Sequence, residues 1–117
     1  MGFLTTHVLD TANGKPAGGL RLELFQVSEG RQNLVTEQTT NIDGRCDHPI
    51  ASDEVFVSGT YQLEFHVGEY FQGQGMKLED PAFLNVVPIR FGISAPGEHY
   101  HVPLLVSPYS YSTYRGS

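Results

Sequence analysis

Residues 60–67 read TYQLEFHV, with Tyr61, Leu63, Phe65 and Val67 at one parity and Gln62, Glu64 and His66 at the other. Successive side chains of an extended chain point to opposite faces, so this stretch is a strand with one dry face and one polar face. An amphipathic helix would instead repeat its apolar positions every three to four residues. Working outward, the same period of two returns in FLTTHVL (3–9), LRLELFQV (20–27), LVTEQTT (34–40), FLNVVPIRFGI (83–93), HYHVPLLV (99–106) and YSYSTYR (109–115), with a further short piece expected after Gly44. Roughly eight short strands at this spacing predict an all-β sandwich or barrel.

Turn chemistry divides these strands: NGKPAGG at 13–19, Asp43-Gly44, Ala95-Pro96-Gly97 and Ser107-Pro108. Pro88 and Pro103 fall inside strand-like runs and belong at bulges or edges, where no ladder donor is missed. Only GEYFQGQGMK (68–77) suggests a helix, and its glycines at 73 and 75 limit it to one or two turns. The 117 residues suffice for one domain, 1–117, with a core of its own and no need of disulfides or metals.

The formal net charge is −6, and the seven Lys and Arg residues never form a run. Nucleic acid and anionic membrane are therefore not expected partners, because both require a basic patch that displaces counterions. A small ligand or another protein fits better. Cys46 is the sole cysteine, expected as a small, inert, buried residue rather than half of a disulfide. No apolar run reaches the ~20 residues of a membrane span, and the first residues lack a basic region ahead of an apolar one. A cytoplasmic location is the expectation.

Chemistry concentrates at the end of the chain. In 99–106 the apolar parity is Tyr100, Val102, Leu104 and Val106, which turns His99 and His101 together to the other face. His7 shares its parity with Phe3, Thr5 and Leu9 in the first strand. Two imidazoles at i and i+2 could bind zinc with His7 as a third ligand, although no carboxylate stands by in sequence to orient them. Nucleophilic catalysis lacks a Gly-x-Ser-x-Gly elbow, and phosphate chemistry lacks a glycine-rich loop. His48 and His66, taken singly, read as half-exposed strand or loop histidines.

Three separated motifs then act together: LTTHVLD (4–10), NIDGR (41–45) and HYHVPLLVSPYSYSTYRGS (99–117). Their combination resembles the transthyretin-related family, and the terminal YRGS resembles its enzyme branch, the 5-hydroxyisourate hydrolases. The resemblance implies a transthyretin-like sandwich of two four-stranded sheets with one short helix within 68–77. It also implies a homotetramer, a dimer of dimers, whose central channel is lined by His7, His101, Leu105, Ser112 and Tyr114, with the Tyr114 ring narrowing it. The implied reaction is hydrolysis of 5-hydroxyisourate to 2-oxo-4-hydroxy-4-carboxy-5-ureidoimidazoline, without a metal or organic cofactor.

By motif position, the family's catalytic residues fall on His7, Arg45, His101 and Ser117, and substrate contacts on His7, Arg45, Tyr114 and Arg115. His101 is the expected proton carrier, with His7 orienting water and His99 outside the cleft. Strict alternation would put Arg115 and Ser117 on the face opposite Tyr114, so the last residues must leave strand geometry or serve a site shared between subunits. Two other readings stay open at this point: a carrier of small aromatic ligands in the channel, and a zinc hydrolase on the same histidines.

Overall fold

The computed structural model describes residues 2–116. Its strands in chain order are β1 (Phe3–Thr5), β2 (Val8–Asp10), β3 (Lys15–Pro16), β4 (Arg21–Ser28), β5 (Arg31–Thr39), β6 (Ala51–Ser52), β7 (Gly59–Phe65), β8 (Val87–Ile93), β9 (His99–His101), β10 (Leu104–Val106) and β11 (Tyr111–Thr113). A short helix α1 (Val67–Gly73) follows β7, and a 3-10 turn covers Asp53–Val55.

One layer is the antiparallel sheet β5-β4-β7-β8. Its β4–β5 hairpin closes on Glu29 and Gly30, both at positive φ, the tight turn whose twist matches that of the flanking strands. Pairing therefore runs up to Ser28 opposite Arg31, longer than the alternation predicted. Pro88 lies in β8, an edge strand, where its missing N–H leaves no rung of the ladder empty.

The second layer is assembled from half-strands. β1 runs parallel to β9, β2 runs parallel to β10, and β6, β3 and β11 flank them. The halves are continuous in space: Val102 N donates to Thr5 O at 2.9 Å and Leu104 N to His7 O at 3.0 Å across the interruption. Pro103 supplies the reason for the interruption, since it has no N–H to extend the ladder. Opposite it, Thr6 turns its hydroxyl inward and donates to Val102 O at 2.6 Å. The expected sandwich of two four-stranded layers with one short helix is thus what the chain forms, one layer being broken at its middle.

The core lies between the layers and takes the predicted parities: Tyr61, Leu63 and Phe65 from β7, Leu22 and Leu24 from β4, Leu4 and Val8 from the first strand, Tyr100, Val102, Leu104 and Val106 from the last. Helix α1 covers one end with Val67, Tyr70 and Phe71, spaced three and four apart along one stripe. Val67 thus opens the helix instead of closing the strand, a position both periods allow. Residues 83–86 are bends rather than strand, and Lys15–Pro16 pairs with β2 inside the stretch expected to be only a turn.

Candidate active site

The segment NIDGR forms the loop that carries Arg45. Asn41 Oδ1 accepts from the backbone N–H of Asp43 and of Arg45, and Gly44 N donates to Asn41 O, so the loop closes on its own first residue. Gly44 sits at φ 77°, and a Cβ there would collide with the Val8 carbonyl. Glycine alone permits that approach, which Val8 N uses to donate to Gly44 O at 2.8 Å. The docked loop then offers the Asp43 carbonyl to His7, whose Nε2 lies 2.9 Å away. A carbonyl only accepts, so His7 carries its proton on Nε2 at this contact.

Next to the loop, the outer face of the β1–β9 pair contributes three polar side chains in parallel register, with Phe3 opposite His99 and Thr5 opposite His101. Thr5 Oγ1 lies 2.7 Å from His99 Nε2 and 2.8 Å from His101 Nδ1. Phe3 stacks on the His99 ring with centroids 4.2 Å apart. From the other side Gly116 pairs with His101, donating its N–H to His101 O at 2.7 Å. A Cβ on Gly116 would stand 2.7 Å from His101 Cδ2, so the glycine lets the chain end lie against the imidazole.

These groups enclose an open cavity of about 250 Å³ lined by Thr5, Thr6, Arg45, Cys46, His48, His99 and His101. Burial pushes the His101 pKa below its ordinary value, and the nearby Arg45 guanidinium and the His99 and His7 rings, when protonated, push it the same way, against a hydrogen bond to the Thr5 main chain. The ring is therefore neutral at neutral pH. Burial, aided by Asp47, raises the Cys46 thiol to about 11, which keeps it protonated and unreactive as expected, although the residue is half-buried in the cavity wall rather than fully buried. Among the described residues no group of three His, Cys, Asp or Glu side chains is gathered as a metal site.

The structure brings together Arg45 and His101, with His7 alongside at the Asp43 carbonyl. It also places His99 in the cavity wall, which corrects the expectation that this residue lies outside the cleft. Parity already turns His99 to the face of His101; the parallel pairing of β1 with β9 extends the wall along that face as far as His99, which its place near the strand start argues against. Tyr114 and Arg115 are not in this cavity within the protomer. They line a separate groove with Ile89, Phe91 and Tyr100, where the Arg115 guanidinium lies 4.0 Å from the Tyr100 ring centroid and pairs with Glu98 at 3.0 Å. Strand geometry ends at Thr113, so alternation stops governing the tail there, and Ser117 lies outside the described residues. His66 is held by Glu23 at 2.6 Å and by Arg21 at 3.2 Å on the other layer, remote from the cavity.

A family model described as HIUase/Transthyretin matches residues 4–116. A Rhizobium meliloti protein named 5-hydroxyisourate hydrolase 2 is 56% identical over 116 residues, covering 99% of this chain and 97% of that protein. Among solved structures, an (S)-allantoin synthase superposes with a TM-score of 0.92 at 50% identity; the match covers 99% of this chain but 44% of that one. The Klebsiella pneumoniae 5-hydroxyisourate hydrolase gives 0.81 at 32% identity with both chains fully covered. Sea bream transthyretin in complex with thyroxine gives 0.85 at 28% identity, covering 97% of this chain and 93% of that one. The split parallel strands, the docked NIDGR loop and these matches agree: the chain belongs to the HIUase/Transthyretin family.

Proposed function

We propose that this protein hydrolyses 5-hydroxyisourate to 2-oxo-4-hydroxy-4-carboxy-5-ureidoimidazoline in urate degradation, by histidine-assisted attack of water on the ring amide. The observation that carries the reading is the neutral His101 imidazole in the wall of a small open cavity that the Arg45 guanidinium also lines. At about 250 Å³ the cavity sits just below the roughly 300–1,000 Å³ of drug-sized ligand sites and suits one small heterocycle. Relatives more than half identical to this chain bear the hydrolase name, whereas the matched thyroxine-binding transthyretin is 28% identical. That difference favours the hydrolase over the carrier.

In the proposed reaction His101 Nε2, which has no hydrogen-bond partner among the described residues, takes a proton from the attacking water. The C–O bond forms and the carbonyl oxygen gains charge, which the planar fork of Arg45 donors stabilises. The ring C–N bond then breaks, and His101 returns the proton to the departing nitrogen. His7 is also left with one bare ring nitrogen, Nδ1, but it lies beside the cavity lining that holds His101 and Arg45 and is not part of it, so it is assigned to orienting water or substrate. Ser117 completes the catalytic set, holding substrate or water. Arg45 provides the charge complement to a urate-like anion, and no metal or organic cofactor enters the scheme.

Tyr114 and Arg115 contact substrate only if a neighbouring protomer supplies them, so the functional particle is a homotetramer, a dimer of dimers, of single 1–117 domains. Exposed rings at Tyr109, Tyr111 and Tyr114 beside the edge strand β11 support such an assembly. We place the enzyme in the cytoplasm, in keeping with its single unpaired thiol. The test is to generate 5-hydroxyisourate from urate with urate oxidase and follow its ultraviolet decay. Catalytic amounts of this protein should accelerate the decay, and an unchanged decay would end the hydrolase reading.

A further inference from the structure

One hydroxyl stands between two imidazoles in the cavity wall, and its single proton forces a choice. Thr5 Oγ1 lies 2.7 Å from His99 Nε2 and 2.8 Å from His101 Nδ1, and a hydroxyl has one hydrogen to give. Two self-consistent patterns exist with both rings neutral. In one, His101 Nδ1–H donates to Thr5, Thr5 donates to His99 Nε2, and His101 Nε2 is left bare toward the cavity. In the other every bond reverses, and His101 Nε2 carries the hydrogen and cannot act as a base.

We propose that Thr5 and His99 form a positioning pair that holds His101 in the tautomer with a proton on Nδ1 and Nε2 bare. Arg45, whose guanidinium can only donate, lines the same cavity as His101, so a bare Nε2 offers it a lone pair where an Nε2–H would set donor against donor. Ring positions are fixed on both sides: Phe3 stacks on His99 at 4.2 Å, and Gly116 lies against the edge of His101. The logic is that of a base oriented by a third group, here through a shared hydroxyl rather than a carboxylate. It accounts for a second histidine in the wall that the proposed reaction leaves unused.

The assignment of His101 as base rests on the hydrolase reading, but the tautomer can be measured without it. Long-range proton–nitrogen correlation spectra of the imidazoles should show His101 protonated on Nδ1, and the Nε2–H form would overturn the pair. Thr5→Val keeps the shape and removes the hydroxyl. It should mix the His101 tautomers and lower kcat by ~10- to 100-fold with little change in KM. Thr5→Ser should restore both the spectrum and most of the rate. His99→Phe, which keeps a ring on Phe3 but removes the acceptor, should mix the tautomers in the same way. Wild-type spectra and kcat in Thr5→Val, or no recovery in Thr5→Ser, would refute the proposal. A wild-type protein with the expected tautomer but no hydrolase activity would overturn the proposed function and leave the positioning pair standing.

Discussion

An imidazole serves as a base at neutral pH only if it arrives there without its proton, and His101 owes that state to its neighbours. Burial acts first, then the charge of Arg45 and those of His99 and His7 when protonated, all lowering its pKa from the usual value near 6.5. The unfolded chain therefore binds this proton before the folded one does. Between the folded-state pKa and about 6.5 the unfolded state holds more protons, so stability rises with pH through that window. Below the folded pKa the loss is complete. Removing one of the charges exposes its share: Arg45→Gln should move the His101 titration upward, followed by the Cε1–H resonance. An unmoved titration would mean that the guanidinium is not felt at the ring. Removing the ring itself is the stronger change, and His101→Ala should slow 5-hydroxyisourate hydrolysis by ~10²- to 10⁴-fold while the protein stays folded. Near-normal turnover would take His101 out of the mechanism.

The elements hold the site from behind, and one tie joins the first strand to the helix. Asp10, at the end of β2 and 1% exposed, accepts from the backbone N–H of Ala12 and Asn13, from Asn13 Nδ2, and from the Tyr70 hydroxyl of α1 at 2.8 Å. Burial by itself would raise the Asp10 carboxyl, yet these bonds outweigh it and leave the pKa lowered. Their stabilisation is present above the ordinary carboxylate pKa of about 3.9 and is lost as pH falls through the lower folded value. Tyr70→Phe leaves the carboxylate one donor short and should cost ~1.5–3 kcal/mol in urea unfolding at fixed protein concentration. A midpoint equal to wild type would show the tie to be incidental.

Such ties also mark where the sequence stopped being informative. Alternation in TYQLEFHV and HYHVPLLV assigned the buried faces of β7, β9 and β10, because burial of one face is a local constraint on residue type. The bond from Thr6 to Val102 across the break and the alignment of β1 with β9 that brings His99 into the cavity wall come from contacts between segments far apart in the chain, while the pairing of Lys15–Pro16 with β2 is a short hairpin too brief to show a period. No local period encodes those. Arg45 was legible through its motif, but the reason that its loop requires Gly44 appears only once Val8 lies against it.

For the molecule as a whole, the distribution of exposed rings argues that the protomer is not the finished object. Tyr114 is 60% exposed and Tyr109 63%, beside an edge strand whose outer ladder is unpaired in the protomer. Edge strands left open in this way invite pairing with another copy. The cavity holding His101 and the groove holding Tyr114 and Arg115 are separate within one chain. If the proposed tetramer forms, the Tyr114 rings approach the channel mouth and narrow it by bulk alone. Tyr114→Thr should then keep the particle at four chains by light scattering, weaken hydrolysis, and let the widened channel take up large aromatic ligands, read by calorimetry. A variant that keeps full activity and binds no such ligand would show that the ring neither narrows a channel nor serves the site, and the groove would need another explanation.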